Sequence, residues 1–342
     1  MHLPVKATKL GRKLYWESSA RIRRLPNATS TTETPEGVVT TVTGPALIEP
    51  NWGYVITAEG RLLEDSLRTN WRAPAPWRFA TPDPHEFNRV RHKNSPEVRD
   101  FEEVVLLRDL YEWNYFHFHF DVLGRLGLLR EYGIPTSTPI IVGRYAKELP
   151  FVQQMLSTGR LAERQWVIQD RFYVRAKTVH YCNTSQGFLD RSRYFLEEMR
   201  MPADPVGSDR VFLNRVGTGA REIVNIDAVR RVLDRYNFVE VDTAKIPFAE
   251  QVAVFQSTKH LVAVHGAGMT NIIYRRNSPL SILELYASNY NSFDFRTIAG
   301  QMDFSWTGLA SSPGPGHPQK ANLTVDIGTF DEHVRILLDQ GH

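Results

Sequence analysis

Val262-Ala263-Val264-His265-Gly266-Ala267-Gly268-Met269-Thr270-Asn271 runs from an apolar segment into a Gly-Ala-Gly turn. The apolar run makes a short buried strand, His265 to Gly268 a tight turn, and the residues after it the start of a helix. Glycines let the backbone approach a ligand closely, and the N–H groups of a first helical turn favour an anion. The pattern points to a bound diphosphate, and by itself it also suits a plain strand-to-helix turn. It is neither the GxGxxG dinucleotide fingerprint nor a Walker loop.

The same alternation of short apolar strand and helix fills the second half of the chain. Strands are predicted at Val211–Leu213, Phe238–Val241, Leu261–Val264 and Ile282–Leu285. Helices are predicted at Ile226–Tyr236 and Phe248–Thr258, through Ile273, and at Phe293–Met302. The first half reads similarly from Glu103. Strands fall at Val104–Leu107, Ile140–Val142, Trp166–Ile168 and Thr178–Tyr181, with helices over Asn114–Glu131, Lys147–Leu156 and Phe188–Met199. Before it, Val38–Val42 and Tyr54–Ile56 read as strands separated by turns at Gly44-Pro45 and Pro50-Asn51. Such alternation calls for parallel sheets covered on both faces, with ligands outside the carboxyl ends of the strands. The residues just after Leu213, Val264 and Leu285 therefore carry most weight.

The fold class expected is α/β, with two Rossmann-like lobes facing across a cleft. Residues 1–37 form a basic arm and a structureless linker, 38–203 a first lobe, and 204–342 a second, ligand-binding lobe. The boundary follows the two prolines and glycine of Met201–Gly207.

With 342 residues, 42% hydrophobic and 23% charged, the chain has apolar material for two cores. A net charge of +3 suits an anionic ligand and is far too small to argue for nucleic acid. Cys182 is the single cysteine, which excludes an intrachain disulfide and a zinc–thiolate centre and reads as a small buried residue in a reducing compartment. Met1 to Leu25 lacks the apolar run of a signal peptide or membrane span. Its Lys and Arg residues alternate with Leu10, Leu14, Tyr15, Trp16 and Ile22, which suits either a peripheral membrane contact or a solvated arm packed on the body. The expected location is cytoplasmic, at most peripheral to the membrane, and the sequons at Asn27, Asn183 and Asn322 are then chance matches. Asn70–Pro96, dense in Trp, Pro and Arg, suits either the lining of a sugar cleft or a cap over a core.

From Leu213 to Leu285 the chain resembles glycosyltransferase family 61. The matching pieces are Asn214-Arg215, Arg221-Glu222-Ile223-Val224-Asn225, Glu250-Gln251-Val252, Val264 to Asn271, and Ile282-Leu283-Glu284-Leu285. Upstream, Asn114-Tyr115-Phe116-His117-Phe118-His119-Phe120-Asp121 is similar to the family's Asn-Tyr-x-His-Trp-x-x-Asp/Glu helix, with Phe118 in place of the tryptophan. Ile226 stands where an acidic residue often follows the family's asparagine. The resemblance covers roughly residues 100 to 300. It implies an inverting GT-B enzyme using a nucleotide-diphosphate sugar, commonly UDP-linked, as co-substrate and a saccharide as acceptor. It also implies a role in capsular or other surface polysaccharide synthesis, with no further cofactor and no catalytic metal. No Asp-x-Asp is present, since Asp83 and Asp209 lack a partner at that spacing.

Within that frame each residue type has a physical task. Arg215 at a strand end and Arg221 on the loop ahead of a helix can neutralise a departing diphosphate. His265 either bonds a phosphate or holds the loop, with Gly266, Ala267, Gly268, Met269, Thr270 and Asn271 forming the turn around the donor. Glu284 can accept the ribose hydroxyls. An inverting transfer needs a general base, for which His117 and Asp121, one helical turn apart, are the candidates, with His119 behind them. Either Asp121 orients His117, or Asp121 is itself the base. Two other readings use the same fold: a nicotinamide-type enzyme, and a non-catalytic nucleotide- or glycan-binding protein.

Overall fold

The computed structural model describes residues 29–34, 37–50, 53–57, 97–184, 187–200, 207–275, 278–290 and 292–339. The basic arm at 1–25, the Trp- and Pro-rich stretch at 70–96 and most of the Met201–Gly207 break lie outside these residues. The chain forms two compact units. The first gathers Met1–Trp113, Asp121–Val152 and Glu163–Gln186; the second gathers Asn114–Phe120, Gln153–Ala162 and Gly187–His342.

The first unit carries strands β1 (Thr29–Thr34), β2 (Gly37–Ile48), β3 (Val55–Ile56), β4 (Val98–Leu106), β5 (Ile140–Gly143), β6 (Trp166–Gln169) and β7 (Tyr173–Thr184). They form one seven-stranded sheet in the order β1-β2-β7-β4-β5-β6, with β3 on β2. Strands β7, β4, β5 and β6 are parallel, as the buried Val104-Val105-Leu106 run predicts. The other edge departs from the expected parallel sheet, because β1, β2 and β3 pair antiparallel.

Thr29–Thr34 is a strand paired with Val38–Val42, not a structureless connector, because β-branched threonines satisfy a strand even when their composition looks polar. Gly44-Pro45 is not a turn. Strand β2 runs straight through it, and the register on β7 shifts between Thr43 and Ala46, with Gly44 at φ +107°. A bulge is where a ladder tolerates a proline, which has no N–H to give.

In the second unit, β8 (Arg210–Leu213), β9 (Val239–Val241), β10 (His260–Val264), β11 (Ser281–Ala287), β12 (Ser305–Pro313) and β13 (Leu323–Thr324) lie in the order β13-β12-β11-β10-β8-β9. All pairs are parallel except β12–β13. Period-two alternation splits this sheet cleanly. Val262, Val264, Leu283, Leu285 and Ala287 point to one face. There they pack with Val229, Val232 and Leu233 of helix Ile226–Arg235 and with Phe330, Val334 and Leu337 of helix Ile327–Asp339. Phe330 is fully buried, so its truncation to alanine costs about 3–5 kcal/mol. The opposite face carries Ala263, Glu284 and Trp306, followed by His265. The predicted alternation stops at Met302; β12, β13 and the last helix extend the unit beyond it.

The single helix expected over Asn114–Glu131 is broken into four pieces: an α-turn at Tyr115–His117, a π-helical stretch at Phe118–Val122, a 3-10 turn at Leu123–Arg125 and an α-helix at Leu126–Glu131. Asn114 starts it, its Oδ1 accepting from Phe116 N at 2.9 Å and His117 N at 3.4 Å. No helix among the described residues is long and apolar enough to cross a membrane.

Candidate functional site

Strand β10 delivers the chain at Val264 into the turn, and His265 N still bonds Leu285 O of β11 at 2.8 Å. Residues Ala267–Arg275 then continue as a 3-10 helix rather than the α-helix start expected. Neither Gly266 nor Gly268 has a positive φ, so backbone freedom does not explain them. Space does. A Cβ on Gly266 would overlap the Arg215 guanidinium, and one on Gly268 would sit 2.8 Å from Thr243 Oγ1. The first glycine is therefore the seat of an arginine.

Arg215 follows β8, its backbone N–H held by Asn214 Oδ1 at 2.8 Å and Asn214 itself held by Glu240 at 2.8 Å. Its side chain makes one long contact, Nε to Ala220 O at 3.4 Å. Burial, and then the neighbouring charge of Arg221, push its pKa down to about 10. Arg221 sits in the left-handed region at φ +58°, its own pKa lowered by burial. Its Nε is buried without a hydrogen-bond partner, and its guanidinium stands 6.0 Å from the Tyr290 ring. Among the described residues neither arginine has an ion pair. Two desolvated like charges held side by side, which Glu222 and Asp242 offset only in part at Arg215, cost free energy until an anion arrives. The strained backbone of Arg221 points the same way.

His265 is 5% exposed and Glu284 is 1% exposed. His265 Nδ1 lies 2.5 Å from Glu284 Oε1, and Trp306 Nε1 donates to Glu284 Oε2 at 2.8 Å. The imidazole also packs edge-on against Tyr290 and Phe295, each 5.3 Å away. Tyr290 thus touches both His265 and Arg221. Met269, Thr270 and Asn271 are fully buried, so their side chains face the protein. Asn271 is the clearest case: it accepts from Tyr115 Oη at 2.6 Å and donates to Gln251 Oε1 and Gly268 O, each at 3.0 Å. Gln251 in turn donates to Thr243 O at 2.9 Å and Ile246 O at 3.1 Å.

Segment 114–120 is thereby fastened to the turn. Besides Tyr115, His119 is fully buried, its Nδ1 on Tyr115 O at 2.7 Å and its Nε2 on Tyr274 Oη at 2.8 Å. A carbonyl only accepts, so Nδ1 carries the proton and Nε2 accepts from the tyrosine. Burial drives the His119 pKa from 6.5 down to about 3, which keeps the ring neutral and removes it from the candidate bases. His117 is half-buried, 5.4 Å from the Phe116 ring, which lies 5.8 Å from Phe295, the ring beside His265. Asp121, also half-buried, belongs to the first unit. Cys182 is buried in β7, its thiol raised to about 12, the structural residue expected.

The sequence profile described as Glycosyltransferase 61 matches residues 115–279. Over those residues the chain is similar to glycosyltransferase family 61. The matched glycosyltransferase 61 segment holds Tyr115, His117, Arg215, Arg221 and the whole turn, and ends before Glu284, Tyr290, Phe295 and Trp306. The chain is also similar to the EGF domain-specific O-linked N-acetylglucosamine transferase of Drosophila melanogaster. The two are 29% identical over 109 residues, which is 31% of this chain and 21% of that protein. The chain therefore matches about a fifth of that relative's length.

Trp306, Tyr290, Phe295 and Thr243 escape the sequence reading. Thr243 lies in a polar turn and Trp306 opens a strand beyond the predicted alternation. The signal available was positional, since Tyr290 and Phe295 follow shortly after Leu285, at the carboxyl end of a central strand.

Proposed function

We propose that this chain is a glycosyltransferase taking its sugar from a nucleotide-diphosphate donor, with the diphosphate seated on Arg215, Arg221 and the His265–Gly268 turn. The observation that carries this reading is the pair of guanidiniums, one lying over Gly266 and the other strained, both desolvated and neither ion-paired among the described residues. In the reaction an acceptor hydroxyl oxygen forms a bond to the anomeric carbon while the bond from that carbon to the phosphate oxygen breaks. The electron pair leaves with the nucleoside diphosphate, where the arginines meet the developing charge. The hydroxyl proton passes to a base, His117 with Asp121 orienting it, or Asp121 itself.

The transfer is inverting and of GT-B type in this reading. The donor is UDP-linked and the acceptor a saccharide of a capsular or other surface polysaccharide. Two guanidiniums supply the charge that a divalent cation supplies elsewhere, so the activity is expected to survive a chelator. The name of the Drosophila relative adds N-acetylglucosamine to the sugars worth testing first.

A thermal-shift screen of the purified chain against UDP, GDP, CMP and their sugars tests the donor site. A nucleoside diphosphate raises the apparent stability according to its concentration over its Kd. No shift with any of them overturns the reading. If UDP binds and His117→Ala and Asp121→Ala both leave transfer intact, the base assignment falls and the donor site stands.

A further inference from the structure

His265, Glu284 and Trp306 come from three successive parallel strands or their ends and share one face of the second sheet. Ala263 pairs with Glu284 and Ile282 with Trp306, so the period-two alternation places all three side chains on the face away from the Val262–Leu285 core. A carboxylate only accepts, so the 2.5 Å contact puts a proton on His265 Nδ1. The indole N–H of Trp306 holds the other carboxylate oxygen at 2.8 Å, and the side chain is 1% exposed. Glu284 is thus committed to two protein donors and closed to solvent. Across the ring, His265 Nε2 has no hydrogen-bond partner among the described residues. The ring is braced by Tyr290 and Phe295, and the next residue, Gly266, lies beneath the Arg215 guanidinium. Trp306 is itself covered by Arg296, whose guanidinium stands 5.5 Å from the indole.

We infer that Glu284 and Trp306 are positioning residues that fix the tautomer and plane of His265, so that Nε2 is presented to the donor's phosphate beside Arg215. The assignment rests on the donor-site reading above and replaces a ribose contact as the task of Glu284. A phosphate oxygen accepts, so Nε2 must take up a proton from solvent as the phosphate binds, while Nδ1–H stays on the Glu284 carboxylate. The match of the chain to glycosyltransferase 61 stops at residue 279, short of both positioning residues.

The test uses the full chain with UDP, UMP and uridine as probes. Imidazole 15N spectra are expected to show the His265 proton on Nδ1 in the free protein. Glu284→Gln should weaken UDP about tenfold and leave uridine binding unchanged, because the amide cannot accept from both His265 and Trp306. Trp306→Phe in the Glu284→Gln background removes the clashing donor and should restore a few-fold of that loss, a coupling that a ribose contact or general destabilisation would not produce. The inference is overturned if Nδ1 is unprotonated, if Glu284→Gln weakens uridine as much as UDP, or if the double variant recovers nothing. Arg215→Ala is the separating control. When it weakens UDP and Glu284→Gln does not, only this inference fails; when it too leaves UDP binding unchanged, the donor site falls and the inference with it.

Discussion

Arg125 in the first unit and the Arg215/Arg221 pair in the second are all arginines taken out of water, and they are opposites. Arg125 is 0% exposed, yet its terminal nitrogens bond Cys182 O at 3.1 Å, Leu107 O at 2.9 Å and Arg108 O at 2.9 Å, with Asp109 at 3.9 Å. It ties the ends of β4 and β7 together through both terminal nitrogens, and only its buried Nε lacks an acceptor. Arg215 and Arg221 are only half-buried, but face each other and carry no ion pair among the described residues. Depth of burial is therefore a poor guide to function. What separates a brace from a binding site is whether the protein already supplies the acceptors.

Four measurements press on that contrast. The largest effect is expected at Arg125→Met, which strands three carbonyls and a buried carboxylate and should cost about 3 kcal/mol or more in denaturant unfolding. A variant as stable as the parent would remove one side of the comparison. Next, Arg215→Ala and Arg221→Ala should each lower kcat/KM for transfer about 10²-fold or more while Tm holds or rises. A fall in Tm like that of Arg125→Met would make these arginines braces too. Third, the neutral His119 makes stability depend on pH. Its folded pKa of about 3 lies below the unfolded value of 6.5, so the unfolded state binds more protons between them, and stability is lost as pH falls through that window. From pH 7 to pH 5 the loss is about 2 kcal/mol, and His119→Gln should flatten this part of the profile. The smallest effect on stability is at Arg221→Gly. Releasing the φ of +58° should raise stability by about 1 kcal/mol while kcat/KM falls as in Arg221→Ala, read by calorimetry and activity on one preparation.

Much of the second unit is legible in the residues because each central strand is a short apolar run bounded by turn residues. Leu261–Val264 and Ile282–Leu285 fall inside β10 and β11. Thr29–Thr34 misleads because threonine is polar in composition yet favours the strand, and the neighbour that completes its ladder lies beyond the next turn. At the site, the glycines of the turn are visible, but their reason is not. Gly266 makes room for an arginine 51 positions earlier, and no local pattern announces that. His119 illustrates the same limit. In sequence it is one more histidine on a helix, and only the Tyr274 hydroxyl, 155 residues away, shows it to be a sealed structural group. Trp306 stands in a strand whose sequence, Ser-Trp-Thr-Gly-Leu-Ala-Ser-Ser-Pro, is too mixed to announce a buried core.

That 155-residue span between His119 and Tyr274 also sets a schedule for the nascent chain. At ribosomal speeds of about 5–20 residues per second, Tyr115 and His119 wait roughly 8 to 30 s for Asn271 and Tyr274 to be made. During that interval Phe116 also lacks its ring neighbours Phe188 and Phe295, and Phe120 lacks Phe188. The strip is thus a natural place for chaperones to act, and a fragment that begins at Gly207 would lack the strip altogether.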